Sequence, residues 1–467
     1  MHQRNTACEA GQTLDSSVNG NFCFHNVSEC LQIKTFDFRH NGLERKHKIS
    51  MFLILYFLIY IDFENRYLDF EPFWGSTMIK KLLSAMAIGC MFSACDNGTA
   101  PPPVAPSNSK NQSTVVPVDY TQGRFMNSLL GRGINLGNSW DSEGYDDSGW
   151  GNPIRDTDFA IIKAAGFNSV RIPVRWQTGS DRTNHTVDPN RMAGVKEDIR
   201  LAIANGLTVV VNFHHYFELN CAGGGHSNYG CSYKAAEYAA EKAHFLQLWK
   251  QVAIEMQEFS DYQVVLEILN EPVIPDASIV DKLMKDAYDT IRTYAPGKTI
   301  MFETYHAAKF EDLESLHLPQ DGNIIFSGHY YQPYTYSHQG NHGNKCLGDA
   351  AYANSAETDM AAYAALARRL YPDINGIDHV PMNMGEFGVA GGSDMGTCTW
   401  KDQNGNQVQG VWPSDQKKAN WAQKTAQAAI SNGISFHYWG FGQTGGFNAY
   451  NTGTEQWNPG FPQALLQ

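Results

Sequence analysis

Val264 to Pro272 reads VVLEILNEP. Its first half is nearly continuous apolar chain, the form a strand takes when both faces are covered, as in a parallel sheet. It then stops on a polar pair and a proline, which cannot extend a buried ladder. Working outward, seven more runs share the form: Gly133–Leu136 (GINL), Ser169–Val174 (SVRIPV), Thr208–Phe213 (TVVVNF), Thr299–Glu303 (TIMFE), Ile324–Tyr330 (IIFSGHY), Val380–Glu386 (VPMNMGE) and Ile434–Trp439 (ISFHYW). Helical stretches are predicted over Arg155–Ala165, Met192–Asn205, Tyr233–Phe259, Ser278–Tyr294, Ala356–Leu370 and Gln416–Ser431, with a weaker one after Thr304. Gly166, Gly206, Gly433 and Pro296 supply stop signals. Eight strands alternating with helices predict an α/β fold, a (β/α)8 TIM barrel, as a single catalytic domain over 119–467. A doubly wound sheet would want a glycine-rich phosphate turn after the first strand. Gly131-Arg132-Gly133 precedes that strand instead, and no Walker sequence is present.

Composition agrees with a large packed core: 42% of the 467 residues are hydrophobic and 18% charged. The formal net charge of −13 repels a phosphate backbone, so no nucleic-acid partner is expected. Aromatics make up 12%, with ten Trp and 22 Tyr, enough for a cleft that stacks flat sugar faces as well as for a core.

In such a barrel the reacting groups sit at the C-terminal ends of strands. The strand ends carry Asn138; Arg171 and Trp176; His214-His215-Tyr216; Asn270-Glu271-Pro272; His329-Tyr330-Tyr331; Gly385-Glu386-Phe387-Gly388; and Tyr438-Trp439-Gly440. Glu271 and Glu386 each close an apolar strand. Either alone reads equally well as a cap or an arginine partner. Two at matching ends, with Arg171 and histidines nearby, fit the paired carboxylates of glycosidic cleavage, one protonated and one ionised. Glu267 reads as a structural interior charge, about 13 Å deeper at roughly 3.3 Å per residue. His214, His215 and His329 also admit a metal cluster. The aspartate expected among such ligands is missing from the strand ends, so no metal and no cofactor is expected. Trp439, Trp176 and Tyr331 read as rim platforms, and Trp249 as core.

Together these residues resemble glycoside hydrolase family 5, the cellulase family. The pieces are LGRGINLGN (130–138), AGFNSVRIPVRW (165–176), VVVNFHHY (209–216), LEILNEP (266–272), SGHYYQPYTYSHQG (327–340), MGEFG (384–388) and HYWGF (437–441). The resemblance implies a retaining endo-β-1,4-glucanase acting on cellulose or mixed-linkage β-glucan, with Glu271 as acid/base and Glu386 as nucleophile. It assigns Arg171, Asn270, His214, His329 and Tyr331 to the cleft, Trp439 to a sugar platform, and Asn138, His215 and His338 to further substrate contacts. Mannan, xyloglucan or lichenan remain alternative polymers, and a non-catalytic carbohydrate-binding barrel is the rival outside enzymology. The loops 221–231 and 394–413 depart from the family pattern.

The first hundred residues differ in kind. Met51–Ile61 is apolar, but a second export signal follows it. Met78-Ile79-Lys80-Lys81 opens a basic segment, Leu82–Ala94 an apolar one, and Phe92-Ser93-Ala94-Cys95 resembles a lipoprotein cleavage site. Residues 78–95 are therefore expected to be a lipoprotein-type signal with Cys95 lipidated. Residues 1–77 would be a mis-annotated or disordered extension, and 96–118 a Pro/Ser/Asn-rich linker. An extracytoplasmic monomer touching membrane only through that anchor is expected. Cys221, Cys231, Cys346 and Cys398 remain, an even set outside the cytoplasm. Three pairings are open. Cys221–Cys231 with Cys346–Cys398 is favoured because each would staple a loop. A zinc site is the rival, but no CxxC spacing occurs.

Overall fold

The computed structural model describes residues 115–393 and 395–467. Residues 1–77, the signal with Cys95, and most of the expected linker lie outside them.

Eight parallel strands close into a barrel. They are β1 (Arg132–Asn135), β2 (Ser169–Ile172), β3 (Thr208–Asn212), β4 (Val264–Glu267), β5 (Ile300–Phe302), β6 (Ile324–Tyr330), β7 (Met382–Phe387) and β8 (Ile434–Tyr438). Neighbours follow chain order, and β1 pairs with β8 to close the ring. The outer layer comprises α2 (Asp158–Ala165), α3 (Pro189–Ala204), α4 (Ala235–Glu255), α5 (Ala277–Tyr294), α6 (Ala356–Leu370) and α7 (Asp415–Ser431). The expected (β/α)8 barrel is the fold. Among the described residues no helix is long and apolar enough to cross a membrane.

One helix, α1 (Thr121–Leu130), was not expected. Its sequence carries Gly123 and lacks a side-chain N-cap bond, so propensity argues against it. Tertiary packing holds it instead. Met126 and Leu130 pack on Val210, Val265, Met301 and Ile325 in one buried cluster. Gly123 permits that approach, since a Cβ there would lie 2.5 Å from the Ile324 carbonyl oxygen. The helix expected after Thr304 is also corrected. Tyr305–Ala308 contains His306 and Ala307 in left-handed conformation, and a 3-10 turn, Phe310–Ser315, follows.

The two departing loops are stapled. Cys221 is bonded to Cys231 and Cys346 to Cys398. The second bridge holds a hairpin of Cys398–Lys401 and Gln407–Gly410, where sequence indicated only an inserted loop. β6 and β7 pair in register until a bulge between Gly328 and His329, beyond which His329 sits level with Glu386. Bulges commonly re-aim a side chain beside a site, and this one sets an imidazole beside a carboxylate.

Candidate active site

The site grows from the buried guanidinium of Arg171 on β2, which has all five N–H groups engaged. Nε and Nη2 donate to Glu267 Oε2 and Oε1 at 2.8 and 2.7 Å. Nη1 donates to Asn135 Oδ1 and Glu386 Oε1, both at 2.9 Å, and Nη2 also to Asn270 Oδ1 at 2.6 Å. One side chain thus orients a carboxylate from β7 and an amide from the loop after β4. Tyr331 Oη donates to Glu386 Oε2 at 2.9 Å. Each Glu386 oxygen therefore accepts a fixed bond.

Glu271 stands opposite. An oxygen of Glu271 and one of Glu386 lie within 4.8 Å of each other. Glu271 lies past the end of β4 in a left-handed turn (φ 44°), a conformation that costs a non-glycine residue about 1–3 kcal/mol. Its backbone N–H donates to Glu303 Oε2 at 2.7 Å, which holds the turn. His329 Nδ1 lies 2.7 Å from Glu271 Oε1 and 3.6 Å from Glu386 Oε2. The glycine before Glu386 has a steric reason: a Cβ on Gly385 would stand 3.1 Å from His329 Nε2.

The two carboxyls differ in environment. Glu271 opens to the cleft with 32% of its side chain exposed, and Glu386 with 7%. Burial pushes Glu386 up, and the His329 and Arg171 charges offset only part of that. Burial also raises Glu271, but the bond and charge of His329 outweigh it and hold its carboxyl below the usual range. His329 itself is held well above the ordinary imidazole range; burial opposes this, and Glu386, Glu303 and Glu271 overcome it. In the resting site the shared proton therefore sits on His329 rather than on Glu271.

The remaining expected residues fall at different distances from this centre. Asn212 Nδ2 donates to Glu267 Oε1 and to His214 Nδ1, leaving His214 Nε2 as the protonated nitrogen. Trp439 is half-buried and parallel to the His214 ring, with centroids 5.9 Å apart. Gly137 leaves room for the indole, since a Cβ there would stand 2.4 Å from it. His215 lines a cavity of about 300 Å³ with Asn270, Glu271, Trp150, Arg175 and Phe217. Two expected contacts stay at the margin: Asn138 Nδ2 donates to the Gln443 carbonyl, and His338 pairs with Ser337 and stacks on Tyr334.

Two readings need correction. Trp176 is no rim platform: it is fully buried and donates to the Asn212 carbonyl. Glu267 is the structural interior charge that was expected, fully buried and paired with Arg171. Through that guanidinium it is linked to Glu386. The aspartate missing from the strand ends is supplied by Asp141 of the β1 loop, which comes within 4.8 Å of His214 and His215. That trio does not make a good metal site. Asp141 already accepts the Asn138 and Ser139 amides, and His214 Nδ1 accepts from Asn212. Glu271, His329 and Glu386 also cluster, but Arg171 bonded to Glu386 opposes a further cation. Sequence reading missed Asn135, Asn212, Asp141 and Glu303. Only Glu303 carried a usable signal, an acid closing an apolar strand.

The Cellulase (glycosyl hydrolase family 5) family model matches residues 132–445. Endoglucanase H of Acetivibrio thermocellus is 24% identical over 344 residues, 72% of this chain and 33% of that protein. Endoglucanase A of Ruminococcus albus is 28% identical over 233 residues, 45% of this chain and 60% of that protein. The chain thus spans between a third and three fifths of these relatives' lengths. Among solved structures, a hyperthermophilic endo-beta-1,4-glucanase in complex with substrate matches at TM-score 0.59 and 26% identity, over 74% of this chain and 100% of that one. Thermotoga maritima Cel5A in complex with mannotriose matches at TM-score 0.59 and 26% identity, over 73% and 99%.

Proposed function

This chain belongs to glycosyl hydrolase family 5, the cellulase family, and from that premise we propose that it is a retaining endo-β-1,4-glucanase. One observation carries the reading: Glu271 and Glu386 offer oxygens within 4.8 Å of each other. Retaining enzymes hold their carboxyls about 5–5.5 Å apart, whereas inverting ones need about 6.5–9.5 Å to admit a water.

In the first step a Glu386 oxygen attacks the anomeric carbon. The glycosidic C–O bond breaks, and its electron pair goes to the leaving oxygen, which takes a proton from Glu271. A glycosyl ester on Glu386 results. In the second step Glu271 takes a proton from water, the water oxygen attacks the same carbon, and Glu386 leaves. Arg171 and Tyr331 serve both steps by holding Glu386 ionised and oriented. Arg171 also occupies Asn270 Oδ1, which leaves the Asn270 amide nitrogen to donate to a hydroxyl beside the anomeric carbon. Trp439 offers an apolar face to the sugar ring.

The test is the anomer first released from a soluble cello-oligosaccharide, read by proton NMR. Retention gives the β-anomer; initial α-anomer would refute the double displacement. The substrate is proposed as cellulose or mixed-linkage β-glucan, on the strength of the endoglucanase names among the relatives. The mannotriose bound in a structural neighbour favours mannan as a second reading. Reducing-sugar release across both polymers, xyloglucan and lichenan separates them. A non-catalytic barrel would bind and release nothing.

We also propose export, with Cys95 lipidated, residues 96–118 as a tether to the barrel, and a monomeric enzyme. Two disulfides support an oxidising compartment. Cys95→Ser should abolish incorporation of labelled palmitate and release the protein from the membrane fraction. Unchanged labelling would overturn the anchor.

A further inference from the structure

The resting proton lies on His329, yet the proposed first step needs it on Glu271. The transfer path is the 2.7 Å bond from His329 Nδ1 to Glu271 Oε1. After transfer the imidazole is neutral and must keep its remaining proton on Nε2, so that Nδ1 can accept from the Glu271 hydroxyl. Something must therefore accept from Nε2.

Glu303, at the end of β5, is the group in that place. It is fully buried. Its Oε1 lies 3.2 Å from His329 Nε2, and in this structure both atoms lack any hydrogen-bond partner. Its Oε2 accepts the Glu271 backbone N–H. The site thus needs two acceptors from residue 303. A carboxyl provides one on each oxygen whether ionised or neutral, and an amide provides only one. The charged and titratable groups around the pair are Arg171 from β2, Glu267 from β4, Glu271 after β4, Tyr331 just after β6 and Glu386 from β7. Arg171 Nη2 is 3.9 Å from Glu303 Oε1, outside hydrogen-bond range, and its protons are spent elsewhere. Burial, together with the negative charge of Glu267, raises Glu303 to about 8, although the charge of His329 opposes this.

We infer that Glu303 is a positioning residue: its two oxygens hold the Glu271 turn and keep the proton of neutral His329 on Nε2, so that Glu271 can carry the proton the leaving oxygen takes. This rests on the acid/base reading of Glu271.

Glu303→Gln tests it with little change in shape. If the amide oxygen keeps the Glu271 N–H, the amide NH2 faces Nε2 and forces the ring proton onto Nδ1. Glu271 is then held ionised. The expected kcat/KM falls about 10–100-fold for aryl cellobiosides with poor leaving groups, yet less than about threefold for the dinitrophenyl cellobioside, which needs no acid. The basic limb of the kcat/KM profile should move down by about one pH unit, because the acid is lost earlier. Glu303→Asp keeps two acceptor oxygens and should retain the wild-type leaving-group dependence even if slower. An equal loss on both cellobiosides would reduce Glu303 to a structural part and overturn the inference. Nitrogen NMR of His329 in the wild type needs no variant to fold. Nε2 should stay protonated across the active pH range, and a bare Nε2 there would also overturn it. Glu271→Ala and Glu386→Ala are run beside these. Should they remain active, the underlying reading fails whatever Glu303 does.

Discussion

Glu386→Gln should lose at least about 10³-fold in kcat/KM on every substrate, and Glu271→Gln at least about 10²-fold in kcat/KM on poor leaving groups only. The two variants separate because the two carboxyls do different work. Removing the nucleophile removes the covalent path, so no leaving group compensates. In the first step, losing the acid matters only where the departing oxygen needs a proton. With a dinitrophenyl cellobioside, Glu271 variants should form the glycosyl ester readily and then stall, because the base for the second step is also gone. Added azide needs no base. It should restore turnover of Glu271→Ala and give a β-glycosyl azide, whereas in Glu386→Ala azide can only take the nucleophile's place and give the α-glycosyl azide. Steady-state rates on both leaving groups, with and without azide, check this. Equal behaviour of the two variants would remove the division of roles.

Arg171→Met is expected to cost stability as well as rate. The methionine fills much of the volume but leaves Glu267 buried without its bidentate partner. Breaking a buried pair this way typically costs about 3–5 kcal/mol. Burial raises Glu267, but the Arg171 charge and bonds outweigh it and hold the carboxyl at about 2. A depressed carboxyl contributes stability that is present above its ordinary pKa of 4.5 and is lost as pH falls through about 2. In the variant the unpaired carboxyl is raised instead, and protonation relieves it. The gap between wild type and variant should therefore be widest near pH 7 and narrow toward pH 5. Urea melts at both values measure it. A gap independent of pH would mean that the loss is packing rather than charge.

The barrel was legible because eight apolar runs end abruptly on polar or aromatic residues, and Glu271 and Glu386 stand at two of those ends. The helix α1 was not, because contacts with Val210, Val265, Met301 and Ile325 stabilise it, and those are remote in the chain. The β6 bulge was also hidden: nothing in SGHYY says that the register slips at His329. Trp176 shows the limit of rim reasoning, since a tryptophan just past a strand can fold back into the core. Glu303 shows a different limit. TIMFE has the same form as the other two strands ending in glutamate, but its acid is followed by threonine and tyrosine rather than by a turn motif. Only the coordinates reveal that its oxygens meet His329 and the Glu271 amide.

In the proposed mechanism Glu386 attacks the anomeric carbon while Glu271 protonates the leaving oxygen. A 2-deoxy-2-fluoro cellobiosyl donor with a good leaving group slows ester breakdown, so the intermediate accumulates. Mass spectrometry of peptides from the inactivated protein should find one fluorocellobiosyl group, and find it on Glu386. A label on Glu271, Glu267 or Glu303, or full hydrolysis with no label on any residue, would contradict it.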